Sequence, residues 1–153
     1  SYTSCRYEGF GPGASTVIVD CLTDNVNRTV GFVRTAFTKS KGKLGVENSV
    51  SHSYENLAIV GFKGMGEEEA LDACLMEDID VKDIETDEDL TIIYGDAKDL
   101  HKIKEALKKA KNDIEFEIDE ISMVPLDKIS LDGEEKELFE KLLNMLDDIE
   151  DVP

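Results

Sequence analysis

From Asn56 to Ser122 the apolar residues switch between two spacings in a fixed order: strand, helix, strand, strand, helix, strand. Leu57-Ala58-Ile59-Val60 is an apolar run of strand type. A helix follows Gly66, with Glu67, Glu68 and Glu69 in a first turn whose dipole favours negative charge. Ala70, Leu71, Cys74 and Leu75 are its inward residues. Val81 to Thr86 and Leu90 to Tyr94 read as a hairpin about Asp87-Glu88-Asp89. Asp96 then caps a second helix, in which Leu100, Ile103, Leu107 and Ala110 recur at helical spacing. Ile114, Phe116 and Ile118 alternate as the last strand. This βαββαβ order is the ferredoxin-like plan.

The segments on either side are each an incomplete α+β unit. Residues 4–55 supply two strands, a helix and a third strand, Ser49 to Glu55. After Met123 come an extended segment, Leu126 to Leu131, and a helix starting at Asp132. Asp132 with Glu135 has the spacing of an acidic capping box, and Leu138, Leu142, Leu146 and Ile149 form the apolar stripe. The simplest fold class is α+β in two domains. A ferredoxin-like domain, 56–122, is inserted into a discontinuous α+β domain made of 1–55 and 123–153. On this plan the chain near Asn56 lies close to the chain near Ser122, and no internal repeat is evident.

At 41% hydrophobic residues the 153-residue chain can bury a core, and nothing in it marks it as disordered. No apolar run has membrane-spanning length and no signal peptide is visible, so no membrane partner is expected. Cys5, Cys21 and Cys74 lack CxxC spacing and read as free thiols of a reducing compartment. The net charge of −18 is unevenly placed: residues 1–55 hold six Lys/Arg and five Asp/Glu, so the remainder carries −19. Such a chain repels nucleic acid as a whole and can meet it only through its first segment.

The first segment has the residues for that contact. The junction Thr23-Asp24-Asn25 ends a strand pattern and starts a helix, offering caps and free backbone N–H groups, with Arg28 in the first turn. Asn27, Gly31, Arg34, Thr38 and Lys41 share the helix face opposite Val30, Val33 and Phe37. Lys39, Lys41 and Lys43 carry the positive charge into a glycine-containing loop. Phosphate contacts need cations and hydroxyl or amide donors in a row; the bland alternative is a solvated helix face. Gly9-Phe10-Gly11-Pro12-Gly13 lacks the lysine of a phosphate loop and reads as a turn between strands. Phe10 at its tip is a candidate for stacking on a base, against the alternative of packing on the sheet. His52, on the Val50/Tyr54 face of the third strand, and His101 have no partner at ligand spacing, and no catalytic nucleophile motif is present. No metal and no cofactor is expected. The acidic clusters at Asp78–Asp80, Asp87–Asp89 and Asp147–Asp151 read as solvated surface or as a docking face for a basic protein.

Several pieces of the first 55 residues occur in a distinctive order. Tyr7-Glu8-Gly9-Phe10-Gly11-Pro12-Gly13 precedes Leu22-Thr23-Asp24-Asn25 and Asn27-Arg28-Thr29; then come Val33-Arg34, Ala36-Phe37, Lys41-Gly42-Lys43-Leu44-Gly45 and Ser49-Val50. In this order the chain resembles the YebC family, which includes the mitochondrial translational activator of cytochrome c oxidase. Met123-Val124-Pro125 and the acidic final helix extend the likeness. The basic three-helix domain with which family members usually begin is not in this sequence, and an opening Ser1 in place of Met favours a fragment over a truncated paralogue. The resemblance implies a non-enzymatic regulator of gene expression in the cytoplasm or the mitochondrial matrix, with the same inserted-domain arrangement. The leading expectation is a translational activator or translation factor on the ribosome and its rRNA, because the charge pattern suits docking among rRNA and basic proteins. The alternative is a DNA-binding transcriptional regulator, and a third is a module binding a small effector or another protein. The residues expected to meet nucleic acid are Asn27, Arg28, Arg34, Thr38, Lys39, Lys41, Lys43 and Phe10.

Overall fold

The computed structural model describes residues 1–153 as an α+β protein of two compact units. Ser1–Tyr54 with Pro125–Pro153 form the first, and Glu55–Val124 the second.

In the first unit, β1 (Thr3–Phe10) and β2 (Thr16–Thr23) pair antiparallel, from Thr3 opposite Thr23 to Phe10 opposite Thr16. Their connection is closed by Gly11 N–H donating to Ser15 O (2.9 Å) and by the Ser15 hydroxyl donating to Pro12 O (2.7 Å). Gly13 takes φ +65 there, a left-handed conformation that favours glycine, with the Glu135 carboxylate lying over it. Helix α1 (Val26–Lys39) leads to β3 (Lys43–Leu44), a two-residue strand placed beside Gly9 and Phe10, giving the sheet order β2-β1-β3. Val33, Ala36 and Phe37 of α1 meet Val19 and Cys21 of the sheet and Leu142, Leu146 and Ile149 of the C-terminal segment. The helix of that segment is α4 (Gly133–Asp147), which buries Leu142 and Leu146 of the expected stripe; Leu138 is only half-buried and Ile149, also buried, lies in the turn after the helix.

Two expectations fail here. Ser49 to Glu55 is not a strand of this unit: Ser51–Ser53 is a 3-10 turn, and β4 (Tyr54–Phe62) belongs to the other sheet. The cause is Glu8. Its buried carboxylate accepts N–H bonds from Asn48 (2.8 Å), Val50 (3.0 Å) and Ser51 (2.7 Å), which curls the backbone and leaves no ladder for an extended chain. His52 is therefore exposed on a turn instead of lying on a strand face. The capping box also fails. Asp132 is the N-cap residue but its side chain makes no cap bond, and the Glu135 carboxylate, which would form the return arm of the box, lies over Gly13 instead.

The second unit has β4, α2 (Glu67–Met76), β5 (Val81–Asp87), β6 (Leu90–Asp96), α3 (Leu100–Ala110) and β7 (Phe116–Pro125) in sheet order β5-β6-β4-β7. The strands carrying the chain in and out, β4 and β7, are neighbours in that sheet. Ala58, Val60, Phe62 and Ile93 pack against Ala70, Ala73, Cys74, Ile103, Ala106 and Leu107. Helix α2 buries Ala73 where Leu75 was expected. Leu75 lies about 100° beyond Cys74 around the axis and is 57% exposed. Asp96 caps a short 3-10 turn, Ala97–Asp99, ahead of α3, and Ala110 at the far end is exposed.

Candidate nucleic-acid interface

The residues singled out on α1 are all at the surface: Asn27, Arg28, Gly31, Arg34, Thr38, Lys39, Lys41 and Lys43 are exposed. The helix exists because Thr29, Val33, Ala36 and Phe37 make one buried stripe and because Asn25 caps it, its side chain accepting Arg28 N–H at 3.0 Å. From Asn27 to Lys39 the axis rises about 18 Å, so the candidates fall into two groups at its ends, with Arg34 between.

At the N-terminal end Arg28 is held within the protein. Its Nη2 donates to Asp151 Oδ1 (2.9 Å) and Asp24 Oδ1 (3.0 Å), and its Nε to Asp151 Oδ2 (3.3 Å). The Thr29 hydroxyl lies 2.8 Å from Asp151 Oδ2, and Leu22 N–H donates to Asp151 O at 2.9 Å. Thr23 Oγ1 accepts from Asn25 N–H (2.9 Å) and lies 2.8 Å from Thr29 Oγ1. The Arg28 guanidinium and then the Thr29 hydroxyl keep the Asp151 carboxyl below the usual carboxylate range. Asp151 in turn, with Asp24, raises Arg28 above its ordinary value. A cation with two carboxylates already on it has little charge left to offer a phosphate.

The C-terminal end is arranged differently. Lys39 sits in the last turn, where the helix dipole favours a cation, and Arg34, Lys39 and Lys43 enter no ion pair. Lys41 takes φ +59, and Gly42 N–H returns to Phe37 O at 2.8 Å, reversing the chain against β1. A Cβ at Gly42 would lie 2.4 Å from Phe10 O, so only glycine lets the loop approach so closely. That approach sets Lys43 directly opposite Phe10, a residue 43% exposed. Lys41 pairs with Glu134 at 2.9 Å, both side chains being well exposed. Gly9 and Leu44 face α1, so by strand alternation Phe10 and Lys43 share the opposite face of the sheet, where an exposed aromatic beside one unpaired cation offers stacking plus phosphate contact.

Two carboxylates that organise this unit, Glu8 and Asp151, went unread in the sequence. Asp151 closes a run of acidic residues that looks uniformly solvated, and only its contacts separate it from its neighbours. Glu8 keeps the alternation of its strand, on the same face as the exposed Arg6, so the pattern gives no sign that it is buried. His52 lines an open cleft of about 510 Å³ with Ser15, Thr16, Tyr54, Leu126 and Phe139, where the Tyr54 and Thr16 hydroxyls are 2.8 Å apart. His101 is exposed on α3.

The family model described as the TACO1/YebC second and third domain matches residues 2–153. A probable transcriptional regulatory protein of Hydrogenovibrio crunogenus is 49% identical over 152 residues, 99% of this chain and 64% of that protein. Its counterpart in Saccharophagus degradans is 47% identical over 151 residues, 99% of this chain and 63% of that protein. The chain thus spans less than two thirds of the length of these relatives. The crystal structure of the conserved hypothetical protein Aq1575 from Aquifex aeolicus is similar at TM-score 0.84 and 32% identity, covering 99% of this chain and 62% of that one.

Proposed function

This chain belongs to the TACO1/YebC family, and from that membership we propose that it is part of a non-catalytic regulator of gene expression. It meets nucleic acid through the C-terminal end of α1. The observation that carries the reading is that Arg34, Lys39 and Lys43 are exposed and enter no ion pair in a chain of net charge −18, with the exposed Phe10 opposite Lys43. Asn27, Thr38 and Lys41 extend the contact, and Arg28 holds the end of the helix in place. The names of the relatives, probable transcriptional regulatory proteins, support a transcriptional role on DNA over the translational role. The second reading, translation on the ribosome and its rRNA, is favoured by the acidic remainder, which suits docking on basic proteins. The bacterial sources of these relatives favour a cytoplasmic protein over a mitochondrial one, and no helix is long and apolar enough to cross a membrane.

The test is a charge reversal, Arg34→Glu with Lys39→Glu and Lys43→Glu, made in the full-length protein. Binding to duplex DNA and to ribosomes is measured across salt. The reversal is expected to weaken binding at least tenfold at low salt and to flatten the salt dependence by roughly one unit of slope per lost phosphate contact. The partner whose binding falls is the one this face serves. Equal binding by both proteins to both partners would remove this face from the function.

A further inference from the structure

Cys5 and Cys21 stand directly opposite each other in the β1–β2 register, so their side chains leave the sheet on the same face. Both pack in the core shared by α1 and α4, Cys21 buried and Cys5 half-buried at its margin. Directly opposed residues of an antiparallel pair have Cα atoms about 4.5 or 5.5 Å apart, and both values fall inside the range spanned by disulfides. Burial first, and then the neighbouring Cys5 thiol, push the Cys21 thiol up to about 12. The Cys5 Sγ lies 3.6 Å from the Tyr7 hydroxyl. Reagents in solution have a route to Cys5. Strand β3 covers β1 only at Gly9 and Phe10, so the edge from Thr3 to Tyr7 has no strand beside it. Cys74, the third thiol, is fully buried in the other core with no cysteine near it in that cluster.

We infer that Cys5 and Cys21 are a thiol–disulfide exchange site, which takes a low-molecular-weight disulfide of the glutathione class and closes to a cross-strand disulfide. The Cys5 thiolate attacks one sulfur of oxidised glutathione; the Cys5–glutathione bond forms, the glutathione S–S bond breaks, and one glutathione thiolate leaves. Cys21, deprotonated by solvent hydroxide, then attacks the Cys5 sulfur, forming Cys5–Cys21 and releasing the second glutathione. The protein gives up two thiol hydrogens and two electrons, and one glutathione disulfide becomes two glutathiones. Little Cys21 is ionised near neutrality, but contact with the target sulfur gives it a large effective concentration, and a thiol of high pKa is the stronger nucleophile once ionised. The bond closes the loop from Arg6 to Asp20 and fastens the strand that carries Leu22 and Thr23 to the Asp151 cluster. Such a cross-link is reversible, as expected for intracellular disulfides.

The experiment treats the native chain with oxidised glutathione, quenches with acid, and maps all three cysteines by mass spectrometry. The expected product is monomeric, two hydrogens lighter, linked Cys5 to Cys21, with Cys74 still a free thiol. Its thermal midpoint is several degrees higher than that of the reduced protein. Cys21→Ser is expected to stop at the Cys5–glutathione adduct, and Cys5→Ser to remain unmodified. Decay of the adduct in the wild-type protein is expected to accelerate about tenfold per pH unit between about pH 7 and 9, following the Cys21 thiolate. A stable adduct on Cys5 in the wild type, a disulfide between copies, closure indifferent to pH, or three thiols inert until the protein unfolds would each overturn the inference. The wild-type map decides it even if a serine variant fails to fold.

Discussion

The two ends of α1 carry the same kinds of residue and put them to opposite uses. At the N-terminal end Arg28 meets Asp24 and the nearly buried Asp151, with Thr23 and Thr29 filling the remaining bonds. At the C-terminal end and in the loop after it Lys39 and Lys43 stand exposed with no carboxylate upon them, Lys43 opposite Phe10. Sequence treats Arg28 and Lys39 alike, as cations on an outward surface. What separates them is a carboxylate more than a hundred residues along the chain, delivered by the turn after α4. A cation is available for a partner only where the fold has not already supplied its counter-charge.

The sharpest way to break this comparison is to remove a buried carboxylate and ask whether the fold or the surface suffers. Glu8→Ala is expected to have the largest effect. Three backbone N–H groups, of Asn48, Val50 and Ser51, would lose their acceptor, one of them fully buried. Unpaired buried donors cost roughly 1–3 kcal/mol each, partly recovered by water, so a loss of about 2–4 kcal/mol is expected from denaturant unfolding. The Glu8 carboxyl sits below its ordinary value: burial pushes it up, but the Val50, Asn48 and Ser51 N–H groups outweigh that. Its contribution is therefore present above the unfolded carboxyl pKa of about 4 and is lost as pH falls through the lower folded value. The gap between wild type and variant should be level near neutrality and shrink in acid. A gap that grows in acid would mean Glu8 is not ionised in the folded protein.

Asp151→Asn comes next and tests the closed end of α1 directly. The amide keeps one acceptor for Thr29 or Arg28 but loses the charge, so the thermal midpoint should fall by several degrees without loss of the fold. Because Arg28 and Thr29 hold the Asp151 carboxyl low, this difference too should vanish as pH drops below about 4. The same variant leaves the Arg28 guanidinium with Asp24 alone. Nucleic-acid binding by the full-length protein is then expected to rise modestly and to become more dependent on salt. Binding unchanged by Asp151→Asn, with the stability loss intact, would show that the N-terminal end of α1 is structural only.

These two carboxylates also mark where the sequence stopped being legible. Periodicity placed α1, α2, α3 and α4 because each is held by a one-sided apolar stripe, such as Val33 with Phe37 or Ile103 with Leu107, and that information is local. The strand expected over Ser49 to Glu55 failed because its backbone bonds go to a side chain on β1, a long-range partner that no window of residues contains. The Asp132–Glu135 box also depends on the tertiary surroundings: Asp132 makes no cap bond, and the Glu135 carboxylate lies over Gly13 at the β1–β2 turn, far away in sequence. On the candidate face, exposure was readable from the position of Arg34 or Thr38 opposite the stripe. The pairing of Arg28 was not, since Asp151 looks like every other residue of its acidic run.

The smallest effect expected is at Lys41, which lies between the two extremes: exposed, yet paired. Its partner Glu134 is as exposed as Lys41 itself, and such pairs contribute little once solvent screens them. Its backbone, however, is left-handed at φ +59, a conformation that lysine adopts at a cost and glycine adopts freely. Lys41→Gly removes that strain together with the ion pair to Glu134, and the greater freedom of glycine in the unfolded chain takes back part of the gain. The net expectation is a stabilisation of up to about 1 kcal/mol, from relief of a left-handed residue. Lys41→Ala keeps the backbone strain while deleting the same ion pair, and should leave stability near that of wild type or slightly below. If Lys41→Ala proved strongly damaging through removal of the charge alone, the Lys41–Glu134 pair would have to be moved to the closed side of the comparison. The open face would then consist of Arg34, Lys39, Lys43 and Phe10.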